Sequence, residues 1–97
     1  MAHPIRWSPR AVSDLEAICT HIARDSEAYA VLLGKRVHAI VTAIPQFPRS
    51  GRVVPEYENA DLREKIFGNY RIVYRLKGEI IEIVAICHGA KQLGPVE

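Results

Sequence analysis

Ninety-seven residues make one small domain, expected to span 1–97. At this length folding removes only roughly 60–65% of the unfolded chain's surface from water, so an open surface site is expected rather than an enclosed pocket. With 48% apolar and 25% charged residues and a net charge of +2, the composition is that of an ordinary globular protein, and charge alone makes no case for nucleic acid.

No apolar run approaches the roughly 20 residues that a membrane-spanning helix needs. Met1-Ala2-His3-Pro4 has no signal-peptide pattern, so the expected location is cytoplasmic. Cys19 and Cys87 sit inside apolar patterns and are read as buried free thiols. His3, His21, His38 and His88 lack metal-ligand spacing, so neither a metal nor a cofactor is expected.

Ile5 and Trp7 alternate with polar neighbours and predict a short strand over about residues 3–7. Ser8-Pro9 reads as a helix N-cap followed by proline at the first helical position. Ala11, Leu15, Ile18 and Ile22 then form one apolar stripe, with the helix ending near Arg24. Asp14 and Glu16 are placed early in it, where the helix dipole favours acids.

Asp25-Ser26 breaks and recaps the chain. Ala30, Leu33, Val37, Ile40 and Ile44 make a second stripe, stopped by Pro45, while Lys35 and Arg36 fall off it toward water. The short link predicts an antiparallel helical hairpin. Residues 45–61 hold three prolines and a glycine and predict an irregular connector, pinned to the core by Phe47 and Val53.

The last third reads as strands over Leu62–Ile66, Tyr70–Lys77 and Ile80–His88, with turns at Phe67-Gly68-Asn69 and Gly78-Glu79, and then a short polar tail without clear structure. The expected fold is α+β: an N-terminal strand, an antiparallel helical hairpin, then a three-stranded antiparallel sheet.

Alternation assigns the faces. A turn at Gly78-Glu79 sets Arg75 opposite Glu82, Val73 opposite Val84 and Leu76 opposite Ile81. Arg71, Arg75, Glu82 and His88 then share the face away from the helices. A three-residue loop before Tyr70 adds Arg63 and Lys65 to it, and leaves Glu64 pointing toward the helices. A two-residue loop would drive both cations into the core, against their desolvation cost. The outer face is thus expected to be basic around an apolar patch of Val73, Val84 and Ile86. Such a surface suits an RNA backbone or an acidic, partly apolar peptide.

The succession Asp14-Leu15, Pro48-Arg49-Ser50-Gly51-Arg52, Leu62-Arg63-Glu64, Tyr70-Arg71-Ile72-Val73-Tyr74-Arg75 and His88-Gly89-Ala90-Lys91-Gln92-Leu93 resembles the RelE/ParE superfamily of toxins from bacterial type II toxin–antitoxin systems, over about residues 5–93. The ParE-like members include plasmid stabilisation proteins. The resemblance implies a cognate antitoxin encoded beside the gene, whose tail wraps the toxin. It also implies one of two targets: the ribosome with its mRNA, which RelE-like members cut, or DNA gyrase, which ParE-like members poison without that catalytic set. The missing C-terminal tyrosine and the His-Gly-x-basic ending lean toward gyrase.

RNA cleavage needs a base, a cation for the phosphorane and an acid. On that alternative the resemblance makes Arg71, His88 and Arg63 the catalytic set and Lys65, Arg75 and Lys91 the target- or RNA-binding residues. The bland readings are a strand-end His88 bonded locally, an Arg71 in a surface ion pair, and an Arg75 paired with Glu82. Val73, Val84 and Ile86 are the expected antitoxin-binding surface.

Overall fold

The computed structural model describes residues 3–89, 91 and 93–96. Strand β1 (Ile5–Trp7) leads into helix α1 (Pro9–Ala23) and helix α2 (Glu27–Ala43). A 3-10 turn at Ile44–Gln46 and a two-residue strand β2 (Arg52–Val53) follow, then β3 (Leu62–Phe67), β4 (Tyr70–Lys77) and β5 (Ile80–His88). The five strands lie in the order β1-β5-β4-β3-β2. β1 runs parallel to β5, and the other pairings are antiparallel. The expected α+β class holds. The sheet is larger by two strands, because β1 and β2 join its edges.

Both helices start where their caps predict. The Ser8 hydroxyl accepts from the Ala11 amide and the Ser26 hydroxyl from the Tyr29 amide. The two helices pack against each other, and α1 also lies on β5. Ala11, Leu33, Val37, Val41 and Ile44 meet Ile72, Tyr74, Ile81, Ile83 and Ile86 in the core between helices and sheet.

β1 is too short to pair along all of β5, and α1 together with its N-cap residue Ser8 supplies the missing partners. The Ser8 amide donates to Ile83 O, the Ser8 hydroxyl to Val84 O, and the Ile86 amide donates to Asp14 Oδ2 at 3.0 Å. Asp14 is therefore not a first-turn acid serving the helix dipole, and no acid occupies that turn. It serves the sheet edge, where an unpaired buried amide would otherwise cost about 1–3 kcal/mol.

A bulge changes the predicted faces. Arg75 faces Glu82 and Leu76 faces Ile81 as expected, but Val73 faces Ala85 and Tyr74 faces Ile83, leaving Val84 as the extra residue. Alternation along β5 is thereby shifted by one. Ile86 turns toward the helices, and His88 pairs with Tyr70. Ala85 and Cys87 turn to the outer face with Arg71. Arg71 and His88 thus lie on opposite faces, not on one.

The turn before β4 also differs from expectation. Phe67 pairs with Tyr70, so Gly68-Asn69 is a two-residue turn, with Gly68 at φ 57°. Leu62, Glu64 and Ile66 consequently share the outer face with Arg71, while Arg63 and Lys65 point to the helix side. The desolvation objection fails because the helical hairpin does not extend over β3: among the described residues only Phe67 of that strand joins the helix-side core. Arg63 instead meets the carbonyls of Arg49, Gly51 and Ala60 at 2.8–3.1 Å. Lys65 remains half-buried.

Residues 45–61 are pinned, though not by Phe47 and Val53, which are exposed at 71% and 39%. Tyr74 does this work. Its fully buried hydroxyl accepts from the Gly51 amide at 3.0 Å and donates to Pro48 O at 2.7 Å. Burial raises its pKa above the usual phenol value. Gly51 has no room for a side chain, since a Cβ there would lie 2.5 Å from that hydroxyl oxygen.

Tyr74→Phe should therefore lower stability by about 1–3 kcal/mol, because it leaves a buried donor and acceptor unpaired. Urea unfolding of the variant checks this. An unchanged midpoint would show that the loop is held by other contacts.

Candidate functional site

A second core lies on the outer face of the sheet. Val73, Val84 and Ala85 are covered there by Val54, Leu62 and Leu93, with Tyr57, Cys87 and Val96 packed around them. The tail that looked polar and unstructured thus supplies a fully buried leucine. Its backbone is tied down by Tyr57, whose hydroxyl donates to Gly94 O, and by Arg10, whose guanidinium donates to Leu93 O at 2.8 Å and Pro95 O at 3.1 Å.

Arg71 organises this layer and is only 4% exposed. Its Nε donates to Glu64 Oε1 at 2.7 Å, and its two terminal nitrogens grip Glu56 at 2.7 and 2.6 Å. Glu64, itself buried, is also held by Arg52 at 2.5 Å. The second Glu56 oxygen accepts from the Leu93 amide as well, at 3.1 Å. One bidentate, charge-assisted pair thereby joins the central strand, the loop that follows β2 and the tail. These bonds hold the Glu56 carboxyl down at about 2, and they raise the Arg71 guanidinium further above its ordinary value.

On the other face, beside α1, the ends of β4 and β5 frame an open cleft of about 660 Å³. Arg10, His21, His88 and Lys91 line it, together with Tyr70 and Asp14, over a floor that includes Ala17, Ile18 and Ile86. The Tyr70 and His88 rings meet edge to face with centroids 5.7 Å apart. Asp14 Oδ2, besides accepting from the Ile86 amide, lies 3.6 Å from Arg10 Nε.

The family of ParE toxins of type II toxin–antitoxin systems matches residues 5–93. The chain belongs to the ParE toxin family. It is similar to the protein Y4kP of Sinorhizobium fredii, at 30% identity over 90 residues, covering 91% of this chain and 90% of that one. In fold it is similar to a chain of the chromosomal ParDE system of P. aeruginosa, with a TM-score of 0.74 and 22% identity over 90% of this chain and 96% of that one. It is also similar to a chain of the RelBE2 toxin–antitoxin complex of Mycobacterium tuberculosis, with a TM-score of 0.63 and 21% identity over 94% and 95% of the two chains.

In this ParE-family toxin the expected site residues do not converge. Arg71 is buried in its pair of carboxylates, His88 lies across the sheet from it, and Arg63 is occupied by loop carbonyls. Lys65 is half-buried on β3 away from both, and Arg75 lies 3.5 Å from Glu82, as its bland reading had it. Lys91 is exposed beside His88, with its amide donating to His88 O at 3.0 Å. Ala90 and Gln92 of the closing motif lie outside the described residues.

Val73, Val84 and Ile86 are all buried and offer no surface: the first two lie under the tail and the third under the helices. Cys19 and Cys87 are free and half-buried, and burial raises the pKa of both thiols. No group of three or more His, Cys, Asp or Glu residues suited to a metal occurs among the described residues.

Sequence reasoning missed Arg10, Asp14, His21 and Tyr70, which only the packing of α1 on the strand ends unites. It also missed Glu56 and Glu64 as partners of Arg71. One signal was available: the three-residue loop before Tyr70 left Glu64, an acid, pointing toward the helices.

Arg71→Ala should lower stability by about 3–5 kcal/mol, since it strands a buried carboxylate and frees the tail. Lys91→Ala should stay within about 0.5 kcal/mol, as exposed positions do. Chemical denaturation of both variants checks the contrast, and equal midpoints would deny Arg71 its structural role. Because the folded pKa of Glu56 lies below the ordinary 4.5, its charged form favours the fold. That contribution is complete above about pH 4.5 and vanishes as pH falls toward 2. Glu56→Gln should therefore flatten the acid limb of the stability curve, and an unchanged limb would assign acid unfolding to other carboxylates.

Proposed function

We propose that this toxin arrests growth by binding contact, as an inhibitor of DNA gyrase in the cytoplasm, and that an antitoxin encoded beside its gene neutralises it. Membership of the ParE family and the complexes named for the similar structures support the toxin–antitoxin pairing. The observation that carries the non-catalytic reading is the state of Arg71. A cation that must meet a phosphorane has to be reachable and uncommitted. Here it is buried, saturated by two carboxylates, and separated by the sheet from His88.

One observation favours a second reading, cleavage of ribosome-bound mRNA. The cleft gathers two imidazoles, Lys91 and Tyr70 on one surface. On that reading His88 would act as base or acid and Lys91 would hold the phosphate, without Arg71.

Expression of the chain alone in bacteria, with translation and DNA supercoiling followed in the same cells, separates the two. Gyrase inhibition should give continued translation, arrested replication and DNA damage, with His88→Ala as toxic as the parent. Rapid loss of translation with mRNAs cut inside codons, abolished by His88→Ala, would overturn the proposal in favour of the nuclease.

A further inference from the structure

We propose that the cleft between α1 and the ends of β4 and β5 is the docking site for a short acidic segment of the partner protein that carries an apolar side chain between its carboxylates. The inference rests on the toxin–antitoxin reading above and names the part of the toxin that would receive the partner.

Charge is the first argument. Four nitrogen-bearing side chains, Arg10, His21, His88 and Lys91, line the cleft. Asp14 is the one carboxylate among the described lining residues, and its Oδ2 is already shared between the Ile86 amide and Arg10. Arg10 is engaged by Asp14 and by the Leu93 and Pro95 carbonyls, so an incoming carboxylate meets first the exposed side chains of Lys91 and His21. Each ion pair at such an open rim contributes little by itself, so the selectivity comes from several acting together and from steering during encounter.

The floor is the second argument. Ile18, Ile86 and Ala17 form its apolar part, with the Tyr70 ring at its edge. Ile86 is there because the bulge in β5 turned it to this side. A bare anion would gain nothing from that surface, whereas an aliphatic or aromatic side chain between two carboxylates would bury apolar area on it. The volume of about 660 Å³ suits a few residues rather than a whole helix.

The third argument is elimination of the surface expected for this purpose. Val73, Val84 and Ile86 are covered within the chain itself, by the tail on one face and the helices on the other. In the cleft beside α1, by contrast, basic side chains and apolar surface remain together and open.

The test uses the full-length toxin and the full-length product of the small gene beside its own as the probe. His21→Glu combined with Lys91→Glu reverses the charge of the cleft at two exposed side chains. Lys35→Glu combined with His38→Glu makes the same change of charge on exposed positions of α2. The cleft variant should bind the probe roughly tenfold more weakly or worse, with a shallower salt dependence, and the α2 variant should bind as the parent does. Circular dichroism and the thermal midpoint establish that both variants are folded.

Parent-like affinity of the cleft variant, or equal weakening in both variants, would overturn the assignment while leaving the toxin–antitoxin pairing intact. Failure of the parent toxin to bind the probe would overturn the pairing and the assignment together. If instead the cleft variant loses binding of a short oligouridylate and keeps full affinity for the protein probe, the cleft serves a phosphodiester and the acidic-peptide assignment is wrong.

Discussion

Arg71 projects from the middle strand of the sheet into the layer formed by the loop after β2 and the tail, and two carboxylates close on it. Glu64 comes from the neighbouring strand, Glu56 from the loop, and Glu56 reaches on to the Leu93 amide. Removing a guanidinium from water costs several kcal/mol, which only close, well-oriented partners offset. That requirement sets the order of dependence. The loop must cross the outer face to deliver Glu56, and the tail must follow it to donate the Leu93 amide to an oxygen that Arg71 already holds. Leu93 is then carried into the outer core, which Val54 and Leu62 complete. A chain of this size gains a second hydrophobic layer because one ion-pair cluster holds two irregular segments flat on the sheet.

The same cluster decides what the outer face offers other molecules. An exposed row of cations and valines would be an adhesive, sequence-tolerant surface for RNA. Here the valines are covered and Arg71 is neutralised in place. Exposed Lys91 lies elsewhere, in the cleft at the end of β5 beside α1. The chemistry a partner meets is therefore set by how the helical hairpin sits on the sheet, with the net charge of the chain contributing little.

The edge of β5 shows a comparable economy. β1 ends at Trp7, and two side chains of the following helical segment, Ser8 and Asp14, take up the strand's remaining backbone groups. The bulge at Val84 sits where the strand passes from one kind of partner to the other. Its consequence reaches the strand end. By shifting the alternation it sends Ile86 and His88 to the helix side, so the cleft owes both its floor and one of its imidazoles to a single extra residue.

The sequence by itself determined the elements, their order and much of their register. Ser8-Pro9 and Ser26 mark the helix starts through cap chemistry, which is local. A two-residue turn at Gly78-Glu79 sets Arg75 against Glu82, where a turn at Lys77-Gly78 would change the partners, and the first register is the one that forms. The Tyr-Arg-Ile-Val-Tyr strand and the His-Gly ending were enough to point to the family. Tertiary structure decided which faces the side chains take and what surrounds them. Desolvation argues for keeping Arg63 and Lys65 off the helix side, yet the hairpin does not cover β3, and loop carbonyls serve Arg63. The bulge at Val84 leaves no mark in the pattern of apolar residues, because valine, alanine and isoleucine suit either face. The fate of Arg71 was equally hidden, since a strand arginine reads the same whether it meets water, phosphate or two glutamates. Local propensity and period are written residue by residue, whereas burial and ion pairing depend on segments far apart in the chain, and these become legible only once the chain has closed on itself.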